Sequence, residues 1–248
     1  MSSPIIACYG LERSFGDIKV LDGLDIEVMR GETMVVLGRS GSGKSVLLKH
    51  LNGLLRPKAG RVLFDGTEIG RLHERELVPM RRRMGMLFQS GALFDSLDVG
   101  ANIAFPLEQH GVEFDASRIA QLLELVDLAG TERRMPSELS GGMRKRAALA
   151  RALALEPEVM LYDEPTTGLD PVTAQQINRL IRSLQARLGL TSVVVTHDLA
   201  SVGFVADRIA FLYNGQIRAV GSVEDMRRSV DPVIREFMSG GADSAPDG

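Results

Sequence analysis

Three short stretches carry residues that could do chemistry together. "GRSGSGKS" (residues 38–45) matches G-x-x-x-x-G-K-[ST], and it stands between an apolar run and a helical pattern. Glycines let such a loop curl until successive N–H groups point at phosphate oxygens, and the positive end of the following helix adds to that field. In this reading Gly38, Arg39, Ser40, Gly41, Ser42, Gly43 and the flanking Val46 form the cradle. Lys44 reaches the β- and γ-phosphates, and the Ser45 hydroxyl ligates magnesium. "VMLYDE" ends in Asp163 and Glu164, two adjacent acids at the tip of an apolar run. Paired carboxylates in that position are costly without work to do there. Asp163 is suited to hold magnesium, and Glu164 to polarise an attacking water as general base. "LSGGM" (residues 139–143) opens an Ala/Arg-rich helix, where Ser140, Gly141 and Gly142 offer bare N–H groups and a hydroxyl. One nucleotide does not need two phosphate sites from one chain. The simplest use is a dimer that sandwiches each nucleotide between loops of opposite subunits.

The elements that must hold these loops alternate along the chain. "TMVVLG" (33–38), "RMGMLFQ" (83–89), "VMLYDE" (159–164) and "SVVVTHD" (192–198) are near-continuous apolar runs, which suits strands buried on both faces. Helical patterns lie between them at 44–55, 116–126, 142–155 and 173–188. The alternation predicts α/β, a P-loop (RecA-like) core with a mostly parallel sheet. Residues 5–28 and "GRVLFDGTEI" read instead as an N-terminal antiparallel β layer. Residues 90–155 read as an inserted α-helical subdomain between core segments 1–89 and 156–221. An Asn214-Gly215 pair between apolar runs marks a hairpin. Ser222 caps one final helix over 222–239, and the tail 240–248 is expected to be disordered.

The bulk properties exclude other classes. The 248 residues carry a formal net charge of -3, so no global positive field gathers nucleic acid. "RRR" at 81–83 is read as a solvated helix end. A single cysteine, Cys8, leaves no intramolecular disulfide and no CxxC metal site, and is read as a small apolar strand residue. No signal segment and no run of eighteen apolar residues is seen, so a transport role would require another chain to supply the pore.

Over nearly its whole length the chain resembles the ATP-binding cassette (ABC) ATPases. Its parts run in that family's order: Phe15 in "RSFGD", the phosphate loop, Gln89, "LSGGM", "MLYDEPTTGLD" and His197 in "VVVTHD". The resemblance implies ATP and Mg2+ as cofactors. It implies that Phe15 stacks on adenine, with core packing as the plain alternative. It gives Gln89 contact with metal and water and a role in sensing the γ-phosphate, places Asp170 at the dimer seam, and has His197 bond the γ-phosphate. Two positions depart from the family pattern. Met143 stands where Gln is usual, and Val46 where Thr is common; neither removes a chemical role.

The stretch "LFQSGALFDSL" (87–97) is too apolar for an ordinary loop. The resemblance implies that it borders the cleft that receives a permease helix, although Phe88, Leu93 and Phe94 could instead pack the helical lobe. Its wording, with "MPSELSGGMRKRAALARALALEPEVMLYDEPTTGLDP", is similar to the ATPases of Mce-associated (Mla, MlaF-type) phospholipid transport systems. That resemblance implies a homodimer on the cytoplasmic side of the inner membrane. Its implied partners are an MlaE-type permease and an MlaD/Mce-type lipid-binding protein, in such systems often joined by a STAS-domain MlaB-type subunit. Two readings stay open beside it: the same ATPase serving another solute, and a permease-free ATPase such as an iron–sulfur assembly subunit. The final helix could meet a STAS-type subunit or the neighbouring ATPase.

Overall fold

The computed structural model describes residues 3–239; the tail 240–248 lies outside them. Strands β1 (Ile6–Phe15) and β2 (Ile18–Val28) form a hairpin. Then β3 (Thr33–Leu37) runs through the phosphate loop into α1 (Lys44–Leu51). Next come β4 (Ala59–Phe64), β5 (Thr67–Glu68), α2 (Glu74–Arg82) and β6 (Met84–Leu87). Helices α3 (Val99–Gln109), α4 (Ala116–Leu125) and α5 (Gly141–Leu153) follow without an intervening strand, and α3 and α4 both pack on α5. The chain then alternates through β7 (Val159–Asp163), α6 (Pro171–Leu188), β8 (Thr191–Thr196), α7 (Leu199–Val205), β9 (Arg208–Tyr213) and β10 (Gln216–Gly221). Short helices α8 (Val223–Arg227) and α9 (Pro232–Met238) end it.

The strands make two sheets. The antiparallel one has order β2-β1-β4-β5, and the other has order β10-β9-β3-β8-β7-β6 with every pair parallel except β10 with β9. This is the α/β architecture expected. The period-two geometry of a strand explains how the apolar runs are used. Along β3, Met34 and Val36 face one core while Val35 and Leu37 face the other. Along β7, Val159 and Leu161 join the first and Met160 and Tyr162 the second. The first core lies under α1 and the antiparallel layer, and it includes fully buried Cys8. The second lies under α5 and α6. The strand ends that carry the glycine-rich loop and the acid pair are therefore clamped between two packed layers.

Asn214 and Gly215 both take positive φ (49° and 76°), as a tight hairpin turn requires. One expectation is corrected. The final helix is two helices, because Pro232 disfavours helical backbone at Asp231, which instead takes extended geometry and caps α9. Helices α2 and α7 lie where the sequence reading names none. "RRR" does end a helix, but Arg83 is not merely solvated: its guanidinium donates to Asp65 (2.7 Å) and Glu158 (2.5 Å), tying the β4–β5 turn to the edge of the parallel sheet.

Candidate functional site

The phosphate loop leaves β3 in the middle of the parallel sheet, between β9 and β8. Gly38 has to be glycine, because a Cβ there would stand 2.5 Å from the Leu212 carbonyl oxygen of β9. Gly43, at φ 102°, is the N-cap residue of α1 and turns the chain into the helix. Lys44 begins α1 buried, and its Nζ donates to the carbonyls of Gly38 (2.9 Å) and Arg39 (3.0 Å). The Ser42 hydroxyl is buried with no partner, as a donor waiting for a phosphate oxygen would be. Beside the loop opens a cleft of about 510 Å³ lined by Ile18, Val20, Ser40, Gly41 and Tyr213, among others. Phe15 ends β1 46% exposed, with the Arg13 guanidinium 4.8 Å from its ring centre, so it is not a core residue. Val46 is half-buried against the first core, which agrees with a packing role.

The ends of β7 and β8 meet this loop. The Ser45 hydroxyl donates to the Asp163 carboxylate (2.7 Å). These are two hard oxygen donors side by side at the phosphate loop, the donor chemistry that magnesium takes. Glu164 has φ 47°, a left-handed conformation that costs a non-glycine residue about 1–3 kcal/mol and concentrates at functional sites. The surroundings hold it there. Its N–H donates to the Val195 carbonyl (3.0 Å), and its carboxylate accepts from the Thr196 hydroxyl (3.2 Å) and the Thr167 hydroxyl (3.4 Å). Lys44 Nζ lies 3.3 Å from one carboxylate oxygen, and His197 Nδ1 lies 3.0 Å from the same oxygen. Thus Lys44, Glu164 and His197 form one bonded group, and the Ser45–Asp163 pair stands beside it, each member next in the chain to Lys44 or Glu164.

Other candidates stand apart from it. Gln89 is exposed just past the end of β6. Ser140 caps α5 by accepting from the Met143 N–H (3.3 Å), and Gly142 packs closely on Thr173 of α6. Met143 is partly buried against the second core, so the residue that replaces Gln is used for packing. Asp170 caps α6, accepting from the N–H groups of Val172 and Thr173 (both 3.0 Å). The hydrogen bonds from Thr173 hold its carboxyl below the ordinary range. Within this one chain Ser140, Gly141 and Asp170 make no contact with the Lys44 cluster among the hydrogen bonds and ion pairs of the described residues.

The sequence reading missed several participants. Thr196 stands inside "VVVTHD" and looks like a strand residue; only the fold turns its hydroxyl onto Glu164. Lys145 is 5% exposed, and its Nζ donates to the Gln89 carbonyl. Burial lowers the pKa of Lys145, opposed by the nearby charges of Asp163 and Glu164. Arg151 donates to the carbonyls of Gly91 (3.1 Å) and Ala92 (2.8 Å). In "RKRAALARALA" these look like ordinary surface cations.

The aromatic stretch is divided. Leu93 packs against the second core, whereas Phe94 is exposed and lies 4.7 Å from Phe105, centre to centre. Together with Met86, Phe88, Pro106 and Arg151 these two rings line a shallow groove of about 390 Å³. Among the described residues no helix is long and apolar enough to cross a membrane.

Comparison with known proteins places this geometry. The family model described as "ABC transporter" matches residues 21–167. The chain is 42% identical, over 98% of its length and 93% of the relative's, to the intermembrane phospholipid transport system ATP-binding protein MlaF of Haemophilus influenzae. It is 43% identical to MlaF of Escherichia coli K12, over 92% of this chain and 86% of that one. It is also 42% identical to a probable ribonucleotide transport ATP-binding protein of Mycobacterium leprae, of which it spans 67%. Among solved structures it is similar to the post-hydrolysis dimer of an ATP-binding cassette bound to ADP and Pi (31% identity, 88% of this chain and 98% of that chain, TM-score 0.78). With a solved ATP-binding cassette similar over 88% of its length and a family model matching residues 21–167, more than half of it, the chain belongs to the ABC transporter family, as an ATP-hydrolysing subunit.

Proposed function

We propose that this chain is the ATPase of a transporter that moves phospholipid between the inner and outer membranes of a bacterium. The observation that carries the reading is the near-full-length identity to two MlaF proteins, 42% and 43%, with 93% and 86% of those proteins spanned. The working unit is a homodimer on the cytoplasmic face of the inner membrane. A permease supplies the path for lipid and seats a helix in the Phe94–Phe105 groove. An Mce-type lipid-binding protein and a STAS-domain subunit complete the complex.

The site residues divide the chemistry. Adenine stacks on Phe15, and the loop from Gly38 to Ser45 holds the phosphates. Ser45, Asp163 and Gln89 would hold magnesium, which supplies charge neutralisation at the β- and γ-phosphate oxygens. Glu164 accepts a proton from the attacking water while the water's oxygen bonds to the γ-phosphorus in line with the departing ADP oxygen. Lys44 turns from Glu164 to the phosphates, and His197 to the γ-phosphate. Ser140, Gly141 and Gly142 of the partner chain close over the same phosphate, with Asp170 at the seam. These donors are aimed at charge that grows during the reaction, where they act most strongly.

A second reading rests on the mycobacterial relative, a probable ribonucleotide transport ATP-binding protein that is likewise 42% identical. One experiment separates the two. The tagged chain is purified from its host's membranes in mild detergent, and the complex is reconstituted into vesicles carrying labelled phospholipid. ATP-dependent phospholipid movement is expected. A co-purifying solute permease, with ATP turnover but no lipid movement, would replace the lipid assignment and leave the ATPase chemistry standing.

A further inference from the structure

Helix α5 does more than present Ser140 to a partner chain. One face grips the backbone that leaves β6 past Gln89. Lys145 donates to the Gln89 carbonyl, and Arg151 donates to the Gly91 and Ala92 carbonyls. Between them, a Cβ on Gly91 would touch Ala148 and the Arg144 carbonyl, each at 3.6 Å, so this backbone lies directly along the helix. Gly91 and Ala92 both adopt positive φ (79° and 50°). Arg151 also stands 5.7 Å from the centre of the Phe94 ring. A single rigid helix therefore touches the Gln89 backbone near one end and the apolar groove near the other.

Lys145 is the unusual member. It is 5% exposed; among the described residues no carboxylate stands close enough to form an ion pair with it, and Asp163 and Glu164 act on it only at longer range. A buried cation with no ion-pair partner carries a desolvation cost that attraction at longer range offsets only in part. Its one hydrogen bond goes to a backbone atom of the residue read as the γ-phosphate sensor. Packing does not require that arrangement. We propose that Lys145 is the positioning residue for Gln89, linking the placement of the signature helix to the placement of the sensor. The inference rests on the ATPase reading above. Rotation of α5 then carries the Gln89 carbonyl with it, so that closure of the signature end and arrival of the sensor become one event.

The test uses the full-length wild-type chain and two variants, K145M and K145Q. K145M keeps length and volume without a donor; K145Q keeps a donor without the charge. Three quantities are read: kcat at saturating ATP and magnesium, Kd for a fluorescent ATP analogue, and Tm. Misplacing a catalytic group by about 1 Å can cost on the order of 100-fold in rate. K145M should lose roughly 10- to 100-fold in kcat, with Kd within about threefold and Tm unchanged or higher. K145Q should recover a large part of kcat. A kcat for K145M within about twofold of wild type overturns the proposal. So does a fall in kcat that tracks a fall in Tm in both variants, since that is what a purely structural lysine would give. Absence of ATP hydrolysis by the wild-type chain would instead strike the underlying ATPase reading.

Discussion

Replacing Glu164 by Gln separates the two jobs that its surroundings give it. The side chain keeps its shape, so the left-handed backbone and the hydrogen bond from Thr196 have no steric reason to change. The carboxylate charge is lost. As a base, its removal should lower kcat by about 100- to 10,000-fold, the usual range for a positioned proton acceptor; that is about 2.7–5.5 kcal/mol of transition-state stabilisation. ATP binding should respond in the opposite sense. Lys44 Nζ lies 3.3 Å from Glu164, both side chains being almost wholly buried. Unit charges at 3.3 Å attract by about 5 kcal/mol at an effective dielectric near 20, before desolvation is counted. Binding must exchange that attraction for phosphate oxygens, and E164Q removes the competitor in advance. Its Kd for ATP should therefore equal or improve on wild type, and the bound dimer should persist because the cycle stops before phosphate is released. K44A should do the reverse and weaken binding. The assay is a paired measurement of nucleotide affinity by fluorescence titration and of dimer by gel filtration with ATP. An equal loss of nucleotide affinity in both variants would refute the assignment of these roles.

Three further outcomes follow from the geometry. Phe15→Ala removes the exposed ring proposed to stack on the base, worth about 1–3 kcal/mol, so ATP and GTP affinity should both fall by roughly 5- to 150-fold with kcat little changed; unchanged affinity by titration would return Phe15 to a surface role. Gly60→Ala places a Cβ 2.2 Å from the Gly10 carbonyl oxygen at φ +80°; the strain and clash should cost at least about 2 kcal/mol and lower Tm by about 4 °C or more, as calorimetry would show. Asp65 and Glu158 are both held below ordinary carboxylate values, chiefly by hydrogen bonds from Arg83. Their folded pKa is depressed, so their contribution is present above the unfolded values near 4 and is lost as pH falls through the folded ones. Thermal scans should show stability dropping below about pH 4, and D65N/E158Q together should flatten that drop.

How much of this was legible in the sequence depended on how local each signal was. Strands buried on both faces announce themselves as unbroken apolar runs, and β3, β6, β7 and β8 were placed correctly for that reason. The phosphate loop and the acid pair are local too: their chemistry needs neighbours in sequence. Helix α2, "ERELVPMRR", hides because it is short, strongly charged and contains Pro79, while only Leu77 and Met80 are buried. Helix α7 has seven residues, too few for a 3.6-residue period to show. The break before α9 was signalled by Pro232, yet the apolar pattern runs across it. Lys145 and Thr196 were beyond reach, because each acquires its role from a residue at least 32 positions away.

The Lys44 cluster also says what ATP has to displace. Lys44 is bonded to Gly38, Arg39 and Glu164; Ser45 to Asp163; His197 to Glu164. The side chains in these bonds are the ones that the proposed mechanism assigns to phosphate, magnesium or water, while the Gly38 and Arg39 carbonyls only hold Lys44. In the cluster these side chains satisfy one another, which gives partners to four buried or half-buried groups, Lys44, Ser45, Asp163 and Glu164, while His197 stays exposed. Because every such bond is exchanged rather than simply gained, net affinity is moderated while the geometry is held in advance. Such a site can release ADP once the γ-phosphate has gone, since Lys44, His197 and Ser45 then have partners in the chain to return to. A site that left these groups unpaired would bind nucleotide more tightly, and turnover would be limited by product release.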